Sequence, residues 1–255
     1  MEYAIVVVPA APVRRKAKHQ AEMVNQLLFG DAVKVLKSKR DIWYKVQSLH
    51  DLYEGWVTIH MLEPVSESQA RQSSPSITLA PLNTIQLGET SIQIPAAASL
   101  PAFADGSGHI GRHTYQFNGQ AGQRGGQELT PEVISAIAMS WLNAPYLWGG
   151  RTLMGIDCSG FVQIVFKVLG IDLPRDAWQQ AQEGITVNKL KESIAGDLVF
   201  FDDRDEIVHV GILLSPDQVI HASGKVRIDK IDKKGIINSE TGKRTHSLRV
   251  IKRCR

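Results

Sequence analysis

The chain has 255 residues, 43% of them apolar, and its 29 Lys and Arg nearly balance 26 Asp and Glu, leaving a formal net charge of +3. That supply of apolar residues allows one large domain or two to three smaller ones and excludes a disordered or fibrous chain. The charge balance excludes the polybasic field that drives nucleic-acid binding, and two cysteines, one of them penultimate, exclude a disulfide-framed fold, a single Cys158–Cys254 bridge being the alternative to two free thiols.

From the N-terminus, residues 4–8 form a short apolar run with no positive cluster before it, which does not read as a signal peptide. No stretch reaches the ~20 apolar residues of a membrane span. The expectation is a cytoplasmic chain, or a periplasmic or secreted one if an export signal has been removed. Residues 4–8, 32–36, 43–47 and 56–59 read as short strands between turn signals, with alternation in Val33-Lys34-Val35-Leu36 and Trp43-Tyr44-Lys45-Val46. A small closed barrel is the natural solution, because closure removes exposed edges. The basic run 14–18 reads as a solvated strand or loop of that barrel. Phe29-Gly30-Asp31-Ala32-Val33, Trp43-Tyr44-Lys45-Val46 and Gly55-Trp56-Val57 resemble the bacterial SH3 (SH3b) domain, which implies a module that holds peptidoglycan or sits beside an enzyme that cuts it.

Residues 67–75, rich in Ser and Gln, read as a linker. Residues 76–122 show further short β-like runs, read as a second, degenerate SH3-like barrel, with an extended wrapping segment as the rival. Within them Gly106-Ser107-Gly108-His109-Ile110-Gly111 matches a nucleotide fingerprint without the strand and helix that it needs, and His109 and His113 lack the glutamate of a helical zinc pair. At Thr130-Pro131 the period changes: an N-cap and a first-turn proline precede Ile134, Ile137, Ala138 and Trp141 on one helical face. A second helix is expected from Cys158 to Leu169, stopped by Gly170, and a third over 175–183. Strands are expected over 198–201, 208–214, 219–221 and 248–251. Helices followed by an antiparallel sheet make an α+β domain.

Cys158 opens the second helix in Asp157-Cys158-Ser159-Gly160-Phe161. A helix N-terminus or a neighbouring imidazolium can lower a thiol pKa to ~3.5–7.5, so an activated thiolate is expected there. A buried small hydrophobe is the alternative. His209 and His221 lie in two runs separated by Leu214-Ser215-Pro216-Asp217. In a hairpin with an odd-length loop, such as 213–217, His209 lies directly across from His221 on one face; an even-length loop puts them on opposite faces. Nucleophile, base and base-orienting group are the three roles that acyl chemistry requires.

Tyr146-Leu147-Trp148-Gly149-Gly150, Asp157-Cys158-Ser159-Gly160-Phe161, Leu173-Pro174-Arg175, Gly196-Asp197-Leu198-Val199-Phe200-Phe201, His209-Val210-Gly211-Ile212 and His221-Ala222-Ser223 stand in the order found in NlpC/P60 cysteine peptidases, which the chain resembles over residues 130–225. The resemblance implies an SH3b domain at 1–64, a linker and second SH3b-like domain at 65–125, and a papain-like catalytic domain at 126–255. It implies Cys158 as nucleophile, His209 as general base, His221 as orienting residue, and an oxyanion held by the Cys158 backbone N–H with help from Tyr146. An SH3b module before such a domain is similar to γ-D-glutamyl-L-diamino acid endopeptidases, whose murein peptide substrate has a free N-terminal L-Ala bound where the first barrel meets the catalytic groove. In that subgroup Asp157 and Ser159 match the positions that hold the amine, and the barrel adds an acid and an aromatic, for which Glu22 and Tyr53 are the candidates. The implied enzyme is a monomer that needs no metal or organic cofactor, and its partner is the murein peptide, with no nucleic acid and no membrane. Two other functions stay open: a catalytically silent wall-binding protein, and amide hydrolysis or acyl transfer on another substrate.

Overall fold

The computed structural model describes residues 1–72 and 74–254. They fall into two compact units, Met1–Arg124 with Trp148–Leu153, and the described residues of Gly125–Leu147 with Met154–Arg255.

In the first unit, β1 (Tyr3–Val6), β2 (Ala10–Arg14), β3 (Met23–Leu28), β4 (Ala32–Lys39), β5 (Trp43–Ser48), β6 (Glu54–Thr58) and β7 (Leu62–Val65) form an antiparallel sheet in the order β3-β2-β6-β5-β4-β1-β7. Ala4, Val6, Val13, Leu27, Val33, Val46 and Val57 fill its core, giving the small SH3-type barrel. The basic run that follows Arg14 begins at the end of β2, and β2 and β3 are strands for which no apolar alternation prepared the reading. The residues read as a linker are tied down in part. Ser66 Oγ accepts from the Gln69 N–H to start α1 (Glu67–Arg71), and Glu67 accepts from Tyr3 Oη and Arg71 Nε, each at 2.7 Å. Position 73 of that stretch lies outside the described residues.

β8 (Ser76–Thr78) pairs with β13 (Ala121–Gln123), and β9 (Leu82–Leu87), β10 (Thr90–Pro95), β11 (Ser107–Ile110) and β12 (His113–Gln116) pair in the order β10-β9-β12-β11. Ile85, Ile94, Leu100, Ile110, Tyr115 and Phe117 share one core with Ile5 and Phe29. β1 therefore serves two cores, because alternate side chains point to opposite faces: Ala4 and Val6 to the barrel, Ile5 to its neighbour. The glycine-rich run 106–111 is β11 and its turn. Short strand β14 (Arg151–Thr152) belongs to this unit, its Arg151 Nη1 donating to the Gln26 carbonyl at 3.1 Å.

In the second unit, Thr130 Oγ1 accepts from the Val133 N–H and Pro131 opens α2 (Pro131–Met139), as the sequence led us to expect. After β15 (Gly155–Ile156), α3 (Cys158–Val168) is buried on every side, and Gly170 follows it at φ +82°. The expected third helix is shorter, α4 (Ala177–Gln180). Arg175 is drawn out of it by Asp157, and Gln180 Nε2 donates instead to the Ser159 and Pro174 carbonyls.

Then come β16 (Ile185–Thr186), β17 (Leu198–Asp203), β18 (Glu206–Ser215), β19 (Gln218–Ser223), β20 (Lys225–Asp232), β21 (Gly235–Ile237) and β22 (Arg244–Arg253), in the order β16-β22-β17-β18-β19-β20-β21. An additional β21–β22 pairing closes all but β16 into a ring around Val199, Phe201, Leu213, Val219, Ile231, Ile236 and Ile251. β20 and β21 went unanticipated, because the charges of 225–234 outweigh the short alternation at 225–228. Cys158 and Cys254 are both buried free thiols, which removes the disulfide alternative.

Candidate active site

Three elements of the second unit carry the site: the N-terminus of α3, strand β18 and strand β19. Asp157 caps α3, its Oδ1 accepting from the Gly160 N–H at 2.7 Å, so the cap itself fixes where Cys158 begins the helix. The same carboxylate is gripped by Arg175, Nη1 at 3.0 Å to Oδ1 and Nη2 at 2.5 Å to Oδ2, while Arg175 Nη1 also donates to Ser159 Oγ at 2.8 Å. Asp157, Ser159 and Arg175 are all buried, Arg175 only 1% exposed. A two-pronged guanidinium–carboxylate pair is the geometry that makes such burial tolerable.

On the sheet, His209 Nε2 and His221 Nδ1 are 2.8 Å apart, and His221 Nε2 is 3.0 Å from Asp229 Oδ2. The hairpin differs from the expected one. The β18–β19 turn is tight and bulged, so His221 pairs with Gly211 and not with His209. The two histidines still share a face because their offset is two residues, a diagonal that long side chains span. Gly211 makes the diagonal possible: a Cβ there would stand 2.6 Å from Val219 Cγ2 and 3.0 Å from His221 Cβ. Tyr146 lies close enough for the charges of Cys158, Asp157 and Arg175 to act on its hydroxyl. The structure thus gathers Cys158, Tyr146, Asp157, Ser159, His209 and His221 in one unit. Glu22 and Tyr53 belong to the first unit, where Glu22 accepts from Trp148 Nε1 at 2.9 Å and pairs with Arg15, and the Tyr53 N–H donates to Asp51.

The sequence matches the NlpC/P60 family over residues 143–245 and the bacterial dipeptidyl-peptidase Sh3 domain over 13–62. Over 217 residues, 78% of this chain and 71% of the relative, it is 32% identical to the γ-D-glutamyl-L-lysine dipeptidyl-peptidase of Bacillus subtilis (strain 168). The chain belongs to the NlpC/P60 family. A probable endopeptidase NlpC homolog of Haemophilus influenzae is 40% identical over 106 residues, 40% of this chain and 56% of that protein. An NlpC/P60 family protein from Bacillus cereus ATCC 10987 has the same fold, with a TM-score of 0.81 and 20% identity covering 98% of this chain and 99% of that one. The chain is thus a peptidase of the NlpC/P60 cysteine peptidase family, with an SH3-type domain before its catalytic domain.

The electrostatics of this NlpC/P60 site correct one expectation. The Cys158 thiol is not lowered by its place at the helix mouth: burial, then the charge of Asp157, push it up to about 12, against smaller opposing effects from the Val210 and Ser159 backbone N–H groups and Arg175. Desolvation outweighs the helix terminus because the sulfur is enclosed. The Val210 N–H contact also puts the sulfur beside the residue that follows His209. Burial, then His221 and His246, hold His209 well below the ordinary imidazole value. The surroundings of Asp229 keep it charged. Burial works to raise its pKa, but hydrogen bonds from His221, the Ser239 N–H and Arg227 together carry it well below the ordinary carboxylate range.

Asp229 was missed in the sequence, and it determines the tautomers of both rings. A carboxylate only accepts, so His221 carries its proton on Nε2 and its bare Nδ1 accepts from His209 Nε2–H. His209 is thereby left with a bare Nδ1, the atom able to receive a proton. The available signal was the alternation in Lys225-Val226-Arg227-Ile228, which places a strand beside β19 and Asp229 across from Val219. Arg175 was quoted in a motif without a role, and nothing in the spacing alone ties it to Asp157.

Proposed function

We propose that this chain hydrolyses the bond between γ-D-Glu and the diamino acid of murein peptides that carry a free N-terminal L-Ala. The observation that carries the reading is the similarity to the Bacillus subtilis γ-D-glutamyl-L-lysine dipeptidyl-peptidase, which covers 78% of this chain, more than either domain alone contains.

The chemistry follows from the tautomers. His209 Nδ1 takes the Cys158 proton as Sγ bonds to the γ-carbonyl carbon; proton transfer and attack proceed together because the resting pair is neutral. The oxyanion is met by the Cys158 backbone N–H at the start of α3 and by the Tyr146 hydroxyl, whose pKa is raised by burial and by the charges of Cys158 and Asp157, so that it remains a donor. His209 then protonates the departing amine as the C–N bond breaks. Water, deprotonated by His209, cleaves the thioester and the proton returns to Cys158. Asp157 and Ser159 are proposed to lie beside the substrate's amino end, with Arg175 holding them.

The test is incubation with L-Ala-γ-D-Glu-diaminopimelate, its L-Lys counterpart, the N-acetylated tripeptide and intact sacculi, with Cys158→Ala as the inactive control. Cleavage of the free peptides with none of the acetylated one is expected. Equal cleavage of the acetylated peptide sinks the free-amine requirement, and no cleavage of any substrate sinks the hydrolase.

A further inference from the structure

We propose that His246 is a positioning residue that holds the ring plane of His209 during proton transfer, an inference that rests on His209 being the general base. The family match ends at residue 245, one residue before His246. It stands on β22, yet its ring stacks on that of His209, with centroids 4.3 Å apart and planes 23° from parallel. His221 meets His209 edge-on at 5.0 Å and 82°, and Phe201 at 5.8 Å and 38°. Among the described residues three rings thus surround His209, of which His246 lies against its face.

That face needs a support. The bond from His209 Nε2 to His221 fixes one atom of the ring, but χ2 of a histidine is a broad torsion and the ring can still turn about the hydrogen-bond axis. Turning swings Nδ1, the proton-accepting atom, away from the sulfur. A stacked partner removes the rotation, as offset aromatic pairs do at this separation. Displacements of ~1 Å at a reacting atom cost about 10²-fold in rate, so the effect belongs in kcat.

His246 is itself well held. Its Nδ1 is 2.9 Å from Thr245 Oγ1, and Phe201 touches its ring at 5.9 Å. Gly235 on β21, paired with Ser247 and at φ +130°, brings its backbone so close to β22 that a Cβ would fall 1.8 Å from the His246 carbonyl oxygen. A side chain at 235 is excluded, and β22 is pressed into place at this one residue. Burial and then His221 bring the His246 pKa down to about 4, against the charge of Asp229, so the ring facing His209 is neutral when His209 must become cationic. A charged ring there would oppose the imidazolium.

The experiment compares full-length His246→Ala and His246→Phe with the parent on the L-Ala-γ-D-Glu-diaminopimelate peptide and, independently of substrate, follows Cys158 alkylation by iodoacetamide across pH. His246→Ala is expected to lower kcat roughly 10- to 100-fold with KM within about twofold. His246→Phe, which keeps a stacking face and no ring nitrogen, is expected to restore kcat to within about threefold. The alkylation profile of His246→Ala should change where that of His246→Phe does not. Wild-type kcat in His246→Ala, a rise in KM with kcat unchanged, or a Phe variant as slow as the Ala variant each overturns the proposal. If His246→Ala fails to fold, the Phe variant and Gly235→Ala, which moves the backbone and leaves the ring, take its place: the first should be near parental and the second slow, and the reverse order overturns it. His209→Ala separates the two readings. Turnover retained in His209→Ala removes the base on which this inference rests, whereas loss in His209→Ala beside full activity in His246→Ala removes the inference alone.

Discussion

The two sides of the site hold a buried carboxylate in different ways. At the mouth of α3, Asp157 is locked between a helix N–H, a hydroxyl and a guanidinium that approaches it through two nitrogens. On the sheet, Asp229 also has an arginine, Arg227, and a backbone N–H, but its Oδ2 is turned to His221 and through it to His209. The first arrangement holds the carboxylate at the helix mouth, where the nucleophile begins the helix. The second is a line of donors and acceptors with one open end. A carboxylate gripped by arginine at a helix mouth fixes the nucleophile's surroundings, and one that also meets histidine sets where protons reside.

The largest effect expected on this contrast is kinetic. Asp229→Ala removes the acceptor that fixes both tautomers and is expected to lower kcat about 10- to 100-fold with little change in KM, the range for groups that act through a second residue. A KM effect with kcat intact would remove Asp229 from the proton path. Next in size is Arg175→Met, which takes the guanidinium away from the buried Asp157 carboxylate. Urea unfolding should show a loss of about 3–5 kcal/mol, the cost of breaking a buried pair from one side. A loss below about 1 kcal/mol, typical of surface pairs, would mean the grip at α3 is not the anchor described.

The smallest effect is the pH dependence of stability. His209 and His246 have folded pKa values below their unfolded ones, so the unfolded chain binds more protons and their contribution, complete above pH ~6.5, is lost as pH falls. Asp229, also depressed, adds a loss in the same direction below pH ~4. Cys158 is raised, so its contribution is present below its unfolded value near ~8.5 and is lost as pH climbs toward about 12. Maximum stability is expected between pH ~6.5 and ~8.5, with Cys158→Ala flattening the alkaline side. Alkylation of Cys158 that levels off near pH ~6 would indicate a resting thiolate and contradict the neutral pair.

What the sequence disclosed follows the same division. Short-range chemistry was legible: Thr130-Pro131 and Asp157-Cys158 are local signals, and the helices start there. The pairing of His209 with His221 was legible up to its register, since a bulge in a tight turn leaves no mark in the alternation. The Arg175–Asp157 bond could not be read, because a loop after α3 has to return to the helix mouth. Asp229 comes from a strand whose charges, Lys225 to Asp232, give it the look of a surface turn, and His246 lies just before the strand expected over 248–251, in the part of β22 that the sequence did not disclose.

Gly211 bears on any effort to make this protein more robust. A glycine inside a strand is an obvious target for replacement, since a residue with better β propensity ordinarily strengthens pairing. Here the missing methyl is the clearance through which His221 leans toward His209, and 2.6 Å and 3.0 Å leave no room for it. Stabilising selection at position 211 would therefore oppose catalytic selection at the same atom, and a library screened for heat resistance alone should drift toward folded, inactive variants.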